Sequence, residues 1–212
     1  TVGQSKYIGC RAGAAIGSNI VAKRLYSTVN VQETTPSLWL TASEMAFCKA
    51  EGVLRGWNMG GGTAKEYYER GVTLSFNQWG VDGVATYLLD DTSTEANYAD
   101  ALGGFGGAAA KVSTITIKWD DNAPMDEKME RLITQKWIAL FPNGQEAWNE
   151  IRRTGYPRIF SVPQATNGYT LLTPNRIPFD KNQQINNRSN YDKAVELLGG
   201  PDDYATPMWW QR

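Results

Sequence analysis

The sequence predicts a mainly α fold built of helical hairpins joined by long loops, with one or two short strands. Three observations predict it. Thr41 with Glu44, and Thr63 with Glu66, each form a capping pair ahead of an apolar run; the hydroxyl accepts from the N3 amide and the carboxylate returns to the cap amide. Met125, Met129, Leu132, Ile133, Lys136, Trp137 and Leu140 recur at helical spacing, with a lysine stem able to lie along the apolar stripe. Glycines and prolines gather between these stretches, where they punctuate the chain.

In chain order, residues 38–80 read as a first hairpin. Its first helix is expected to bury Met45, Ala46, Phe47, Ala50 and Leu54, and to end at Gly56 and the run Gly60-Gly61-Gly62. Glycine reaches the left-handed conformation without steric cost. Its second helix carries Tyr67, Val72, Leu74, Ser75 and Phe76, with charge confined to Lys65, Glu66, Glu69 and Arg70.

Residues 81–123 read as an acidic loop insert. From Gly71 to Ala110 there are five acids, Asp82, Asp90, Asp91, Glu95 and Asp100, and no Lys or Arg. Thr92 with Glu95 predicts the cap of a short helix, and Gly103-Gly104-Phe105-Gly106-Gly107 a tight loop. Ile115, Ile117 and Trp119 alternate with Thr114, Thr116 and Lys118, which is strand periodicity.

Residues 124–155 read as a second hairpin. Pro142 stops its first helix; Asn143 and Glu146 start the next, which carries Ala147, Trp148 and Ile151 inward and ends at Gly155. Residues 156–212 read as an extended segment broken by Pro157, Pro163, Pro174 and Pro178. A last short helix through Tyr191, Ala194, Val195 and Leu198 follows, capped by Asn190 and closed by Gly199-Gly200. Hairpins of this size suggest a TPR-like arrangement.

Composition narrows function. The chain has 212 residues, no histidine, eight tryptophans and a net charge of −1. At about 150 residues per domain it makes one domain or one and a half. Without imidazole, Ser-His-Asp and Cys-His catalysis and the usual zinc-ligand sets are excluded. Neither half of the chain is strongly basic, so nucleic acid is a poor partner. Cys10 and Cys48 are compatible with one bridge or with two thiols. The longest near-apolar stretch, Ala12–Ala22, is broken by Gly17, Ser18 and Asn19 and is too short to span a membrane.

The carboxylate pairs Asp90-Asp91, Asp120-Asp121 and Asp202-Asp203 are read as loop and cap residues. They are too close in sequence to flank one substrate as an acid and a base, and they lack the spaced ligands of a calcium loop. Arg152-Arg153 complements a helix C-terminus and is placed to pair with carboxylates. Trp137 and Trp148 are expected in the core, Trp39 as a staple on the first turn, and the terminal Trp209-Trp210 in the architecture. Trp57, Trp79, Tyr87, Tyr98, Phe105 and Trp119 instead sit at helix ends or in the insert. There a ring can offer its flat face to the C–H surface of a sugar while nearby Asp and Asn take its hydroxyls.

The string Thr-Gln-Lys-Trp-Ile-Ala-Leu-Phe-Pro-Asn-Gly-Gln-Glu-Ala-Trp-Asn-Glu-Ile-Arg-Arg-Thr-Gly-Tyr-Pro-Arg at 134–158 closely resembles the SusD/RagB family. So do Lys49-Ala50-Glu51-Gly52 through Arg55-Gly56-Trp57, the 64–72 helix leading to Ser75-Phe76, the Arg176-Ile177-Pro178-Phe179 turn, the 187–194 segment and Trp209-Trp210. The resemblance covers the C-terminal part of the family pattern, so the chain is expected to be the back portion of a longer protein, lipid-anchored through a preceding segment. It implies a non-catalytic, cell-surface, outer-membrane lipoprotein that binds glycans and passes them to a SusC-like TonB-dependent transporter. No cofactor and no metal-ligand set is read from the residues, and bound calcium is left open. It also implies that Trp137, Trp148, Arg152, Arg153 and Tyr156 are scaffold. Binding residues are not transferred by position; Trp57, Trp79, Tyr87, Tyr98 and Trp119 remain the candidates. Alternatives are a helical module docking on the transporter, peptide binding and, last, glycoside hydrolysis.

Overall fold

A computed structural model describes residues 8–11, 26–99, 108–160 and 174–211. The expectations at Ala12–Ala22, Asp100, Gly103–Gly107 with Phe105, and Pro163 lie outside the described residues. Among those described there are seven α-helices: α1 Ala42–Leu54, α2 Ala64–Trp79, α3 Val84–Leu88, α4 Met125–Ala139, α5 Gly144–Thr154, α6 Lys181–Asn186 and α7 Arg188–Leu198, followed by a 3-10 turn at Trp209–Gln211. Packing divides the chain into two units. One comprises Thr28–Tyr98 with Ala110–Ile159, the other Thr1–Ser27 with Ala99–Ala109 and Phe160–Arg212.

The first unit is built on α1 and α2. At the head of α1, Thr41 accepts from the Glu44 amide at 3.1 Å. At α2 both halves of the capping box form between Thr63 and Glu66. After α1 the chain turns at Gly56, φ +78°, with the Gly56 amide on Val53 O and the Trp57 amide on Gly52 O. This is a Schellman closure, and it needs a left-handed residue. Ser43, Ala46, Phe47, Ala50 and Glu51 face inward, whereas Met45 is exposed, contrary to expectation. The cause is close approach to α2. Ser43 Oγ donates to Gly71 O at 2.7 Å, and a Cβ on Gly71 would lie 2.7 Å from the Phe47 ring. The face that fits against a bare glycine is therefore the one bearing Phe47, and Met45 points away from it.

Phe47, Tyr68, Val72, Leu132 and Ile133, with Trp119, form the core of this unit. On α4 the buried arc runs through Glu130, Arg131, Leu132, Ile133, Gln135, Lys136 and Ala139. Trp137 falls at its edge, 37 % exposed, instead of in the core. The polar members of the arc are tied down: Ser113 Oγ donates to Glu130 at 2.6 Å, and Arg131 Nε donates to Thr116 O at 3.0 Å. These bonds add to the burial of Leu132 and Ile133 in setting how α4 lies.

Residues 114–119 do not form the expected strand. Their backbone acceptors are taken from the side by side chains: Tyr68 OH donates to Ile117 O at 2.6 Å, and Thr116 O receives Arg131. The Lys118 amide donates to Asp90 O. With these groups occupied by helices and loop, no partner strand is required. Glu95 likewise does not cap a helix. Its carboxylate accepts from the Val112 and Ser113 amides at 2.7 and 2.9 Å, pinning the return of the insert.

In the second unit, helix begins earlier than the prolines suggested. Asp180 caps α6, accepting from the Asn182 amide at 2.7 Å, and α7 is headed by Asn187 rather than Asn190. Pro178 is the last proline before Pro201, so nothing prevents helix from 181 onward. Asp202 knots this unit, accepting from Arg176 at 2.6 Å, the Phe179 amide at 3.0 Å and Tyr191 OH at 3.1 Å. No described helix is long and apolar enough to cross a membrane.

Candidate functional site

A cleft of about 540 Å³ opens in the first unit, lined by Phe76, Asp82, Gly83, Thr86, Tyr87, Leu89, Asp90, Asp91 and Thr92. That volume is in the range of small-ligand pockets. One wall comes from the C-terminal part of α2, which supplies Phe76. Gly80 at φ +62° ends that helix, and Gly83 at φ +92° starts the short α3 that carries Thr86 and Tyr87. A five-residue helix inside a segment read as loop was not expected, because its apolar residues are too few to show a period.

The two rings are tilted against each other, and both are partly buried against the core of the unit. Phe76 and Tyr87 lie 5.1 Å apart at 49°. The Tyr87 hydroxyl donates to Gln135 on α4 at 3.0 Å, so the ring cannot swing into or out of the cleft without breaking that bond. Burial pushes the Tyr87 phenol above its ordinary value, which keeps it a neutral donor.

The acids around the cleft divide by role. Asp90 holds its own loop: Oδ1 accepts from the Thr92 amide, the Thr92 hydroxyl and the Ser93 amide, at 2.9, 3.0 and 2.8 Å. Hydrogen bonds from Ser93 and Thr92 keep its carboxyl well below the usual range, so it is charged at any physiological pH. Asp91 meets Lys118 at 3.0 Å across an exposed edge. The remaining pairs are structural as well. Asp120 accepts from the Asn122 amide, Asp121 from the Trp119 indole, and Asp203 from the Ala205 and Thr206 amides. Among the described residues no group of three His, Cys, Asp or Glu is arranged to hold a metal ion. Cys10 and Cys48 are both thiols.

The expected site residues fall in different places. Tyr87 lines the cleft. Trp79 is on the helix that supplies Phe76 but outside the lining, 44 % exposed, with its ring 5.7 Å from Phe141. Trp57 stands in the loop after α1, 63 % exposed. Tyr98 is half-buried and outside the cleft lining. Trp119 differs from the expectation of an accessible ring: it is 6 % exposed, packs 5.0 Å from Tyr68, and donates its indole N–H to Asp121 at 2.8 Å. Its faces belong to the core. Phe76, Asp82, Thr86 and Leu89 line the cleft, although none of them is a site candidate from sequence; the absence of any cation between Gly71 and Ala110 is the signal that points to this segment.

The scaffold candidates are also separable. Arg153 reaches from α5 to α1, with Nη1 and Nη2 on the two Glu51 oxygens, both at 2.6 Å, and Nη2 on Glu150 at 2.7 Å. Those hydrogen bonds raise the Arg153 guanidinium further above its ordinary value, against the opposing effect of burial. Arg152 lies 3.7 Å over the Trp148 ring, which is half-buried. Tyr156 is half-buried, its amide on Thr154 Oγ1. Trp39, read as a staple, is 87 % exposed, and Trp209 is exposed while Trp210 is partly so.

Residues 1–211 match the family model described as SusD-like, Susd and RagB outer membrane lipoprotein. Among solved structures, a SusD-like protein from Bacteroides thetaiotaomicron is 42% identical, with a TM-score of 0.88 over 96% of this chain and 43% of its own. A chitin-binding SusD homologue from Flavobacterium johnsoniae is 40% identical, with a TM-score of 0.85 over 99% of this chain and 44% of its own. A SusD homologue from Bacteroides uniformis is 43% identical, with a TM-score of 0.82 over 88% and 39%. The chain thus spans less than half the length of these relatives. Comparison with curated proteins gives no match.

Proposed function

Because the chain belongs to the SusD-like family of outer membrane lipoproteins, we propose that it is part of a non-catalytic glycan-binding protein of the outer membrane surface. The observation that carries this reading is its 40% identity, over 99% of its length, to a homologue described as chitin-binding. The helical core supplies a frame, and the cleft lined by Phe76 and Tyr87 offers a combination that suits sugars: partly exposed aromatic surface beside carboxylates that accept hydroxyl hydrogens. Trp57 and Trp79, both exposed at helix ends, serve as further stacking platforms, and the half-buried Tyr98 is a candidate contact.

In this reading a SusC-like TonB-dependent transporter receives the glycan, and lipid anchorage holds the protein at the cell surface. Each carboxylate pair has at least one member bonded within its own loop, which supports binding without hydrolysis. Isothermal titration with soluble oligosaccharides, chitooligosaccharides included, tests the proposal. Saturable binding without release of shorter products is expected. Binding of peptides with no binding of any oligosaccharide would overturn it, as would product formation that disappears on Asp91→Asn or Asp120→Asn.

A further inference from the structure

The geometry points to a ligand class within the proposed glycan reading, on which it rests: the cleft selects neutral or amino-bearing sugars and discriminates against anionic glycans such as uronates. What marks the cleft as a site is its volume and its two rings. What the acids decide is the ligand's charge. Asp82, Asp90 and Asp91 all line it, and none of the lining residues is cationic. Lys118 is paired with Asp91 at 3.0 Å and offsets one of the three, so the wall presents two net negative charges.

Neutral sugars meet these carboxylates as hydrogen-bond acceptors for hydroxyl and acetamido N–H groups, and a free amino sugar meets them as counter-ions. A uronate brings a like charge to the same wall, where Lys118 is already paired with Asp91. Because the cleft is open, the dielectric is near that of water, and each like-charge contact weakens binding only a few-fold. Two such charges amount to roughly tenfold. The fixed position of Asp90, held by three hydrogen bonds to its own loop, means the acid cannot rotate away to relieve the repulsion.

The test titrates the chain with three oligosaccharides of equal length: N-acetylglucosamine oligomer, fully deacetylated glucosamine oligomer and oligogalacturonate. The first two are expected to bind, the uronate at least about tenfold more weakly. In the double variant Asp82→Asn with Asp91→Asn, checked for unchanged helicity by circular dichroism, the gap is expected to shrink to about threefold or less, as it should in wild type at high salt. An oligogalacturonate bound as tightly as the neutral oligomer overturns this inference and leaves the glycan reading standing, as does a gap unchanged in the double variant. Failure of all three sugars to bind overturns the glycan reading and this inference with it.

Discussion

Lys136 Nζ and Glu150 Oε1 meet at 2.8 Å between α4 and α5, and each side chain is 4 % exposed. Burial alone would lower the lysine's pKa, but the charge and hydrogen bond of Glu150 outweigh it and hold the ammonium above its ordinary value. Glu150 also accepts from Arg153, which continues to Glu51 on α1 and, through it, to Arg55 at the end of that helix. One chain of charges therefore links three helices.

Removing Lys136 leaves Glu150 buried with Arg153 as its remaining partner at 2.7 Å. Lys136→Met is expected to cost up to about 3 kcal/mol in urea unfolding, the low end for a broken buried pair, because that charge is still partly compensated. Pairing it with Glu150→Leu should recover most of that loss, because Arg153 keeps both Glu51 oxygens. If the double variant is no more stable than the single one, the pair is not the unit that the geometry describes.

The close approach of α1 to α2 depends on Gly71. Gly71→Ala places a methyl 2.7 Å from the Phe47 ring, and overpacking of this kind costs about 1–3 kcal/mol even though alanine is the better helix former. Thermal unfolding read by circular dichroism should show the melting temperature fall. An unchanged or higher value would mean that the two helices can part without loss.

Acid should weaken the same assembly through Glu51. Burial pushes its carboxyl up, but hydrogen bonds from Arg153 and Arg55 outweigh this and hold it below the ordinary carboxylate range. A depressed folded value stabilises the protein above the unfolded pKa of about 4.3, and this contribution is lost as pH falls through the folded value. A melting-temperature series from neutral to pH 3 should therefore fall more steeply below about pH 4.3 in wild type than in Glu51→Gln. Parallel curves would remove Glu51 from the explanation.

Two tryptophans should separate stability from binding. Trp119→Ala empties a core site and is expected to cost about 3–5 kcal/mol. Trp57→Ala, at an exposed ring, should alter stability by no more than about 0.5 kcal/mol while weakening binding of a chitooligosaccharide several-fold. Unchanged affinity in a folded Trp57→Ala protein would take that ring out of the proposed site.

Much of the architecture was legible locally, because caps, glycine stops and helical apolar spacing act within a few residues. Thr63 with Glu66 announced α2, and Gly155 the end of α5, φ +77°. The 134–158 string by itself carries the resemblance to the SusD/RagB family. Where helices meet was a different matter. Met45 and Phe47 are both apolar residues near the start of α1, yet only the approach to Gly71 decides that Phe47 turns inward and Met45 outward. Trp57 and Trp119 both looked like accessible rings, and Tyr68 buries one of them.

By itself, then, the sequence determined a helical protein of the SusD/RagB type lacking imidazole chemistry, since those properties reside in composition and short-range pattern. Only the tertiary structure decided that residues 114–119 run without a strand partner and that Lys136 lies wholly buried against Glu150. It also brought Phe76 of α2, Tyr87 of α3 and the Asp90 loop around one cleft. The physical reason is that burial and partnership depend on what another part of the chain brings within a few ångströms, and no local spacing records that distance.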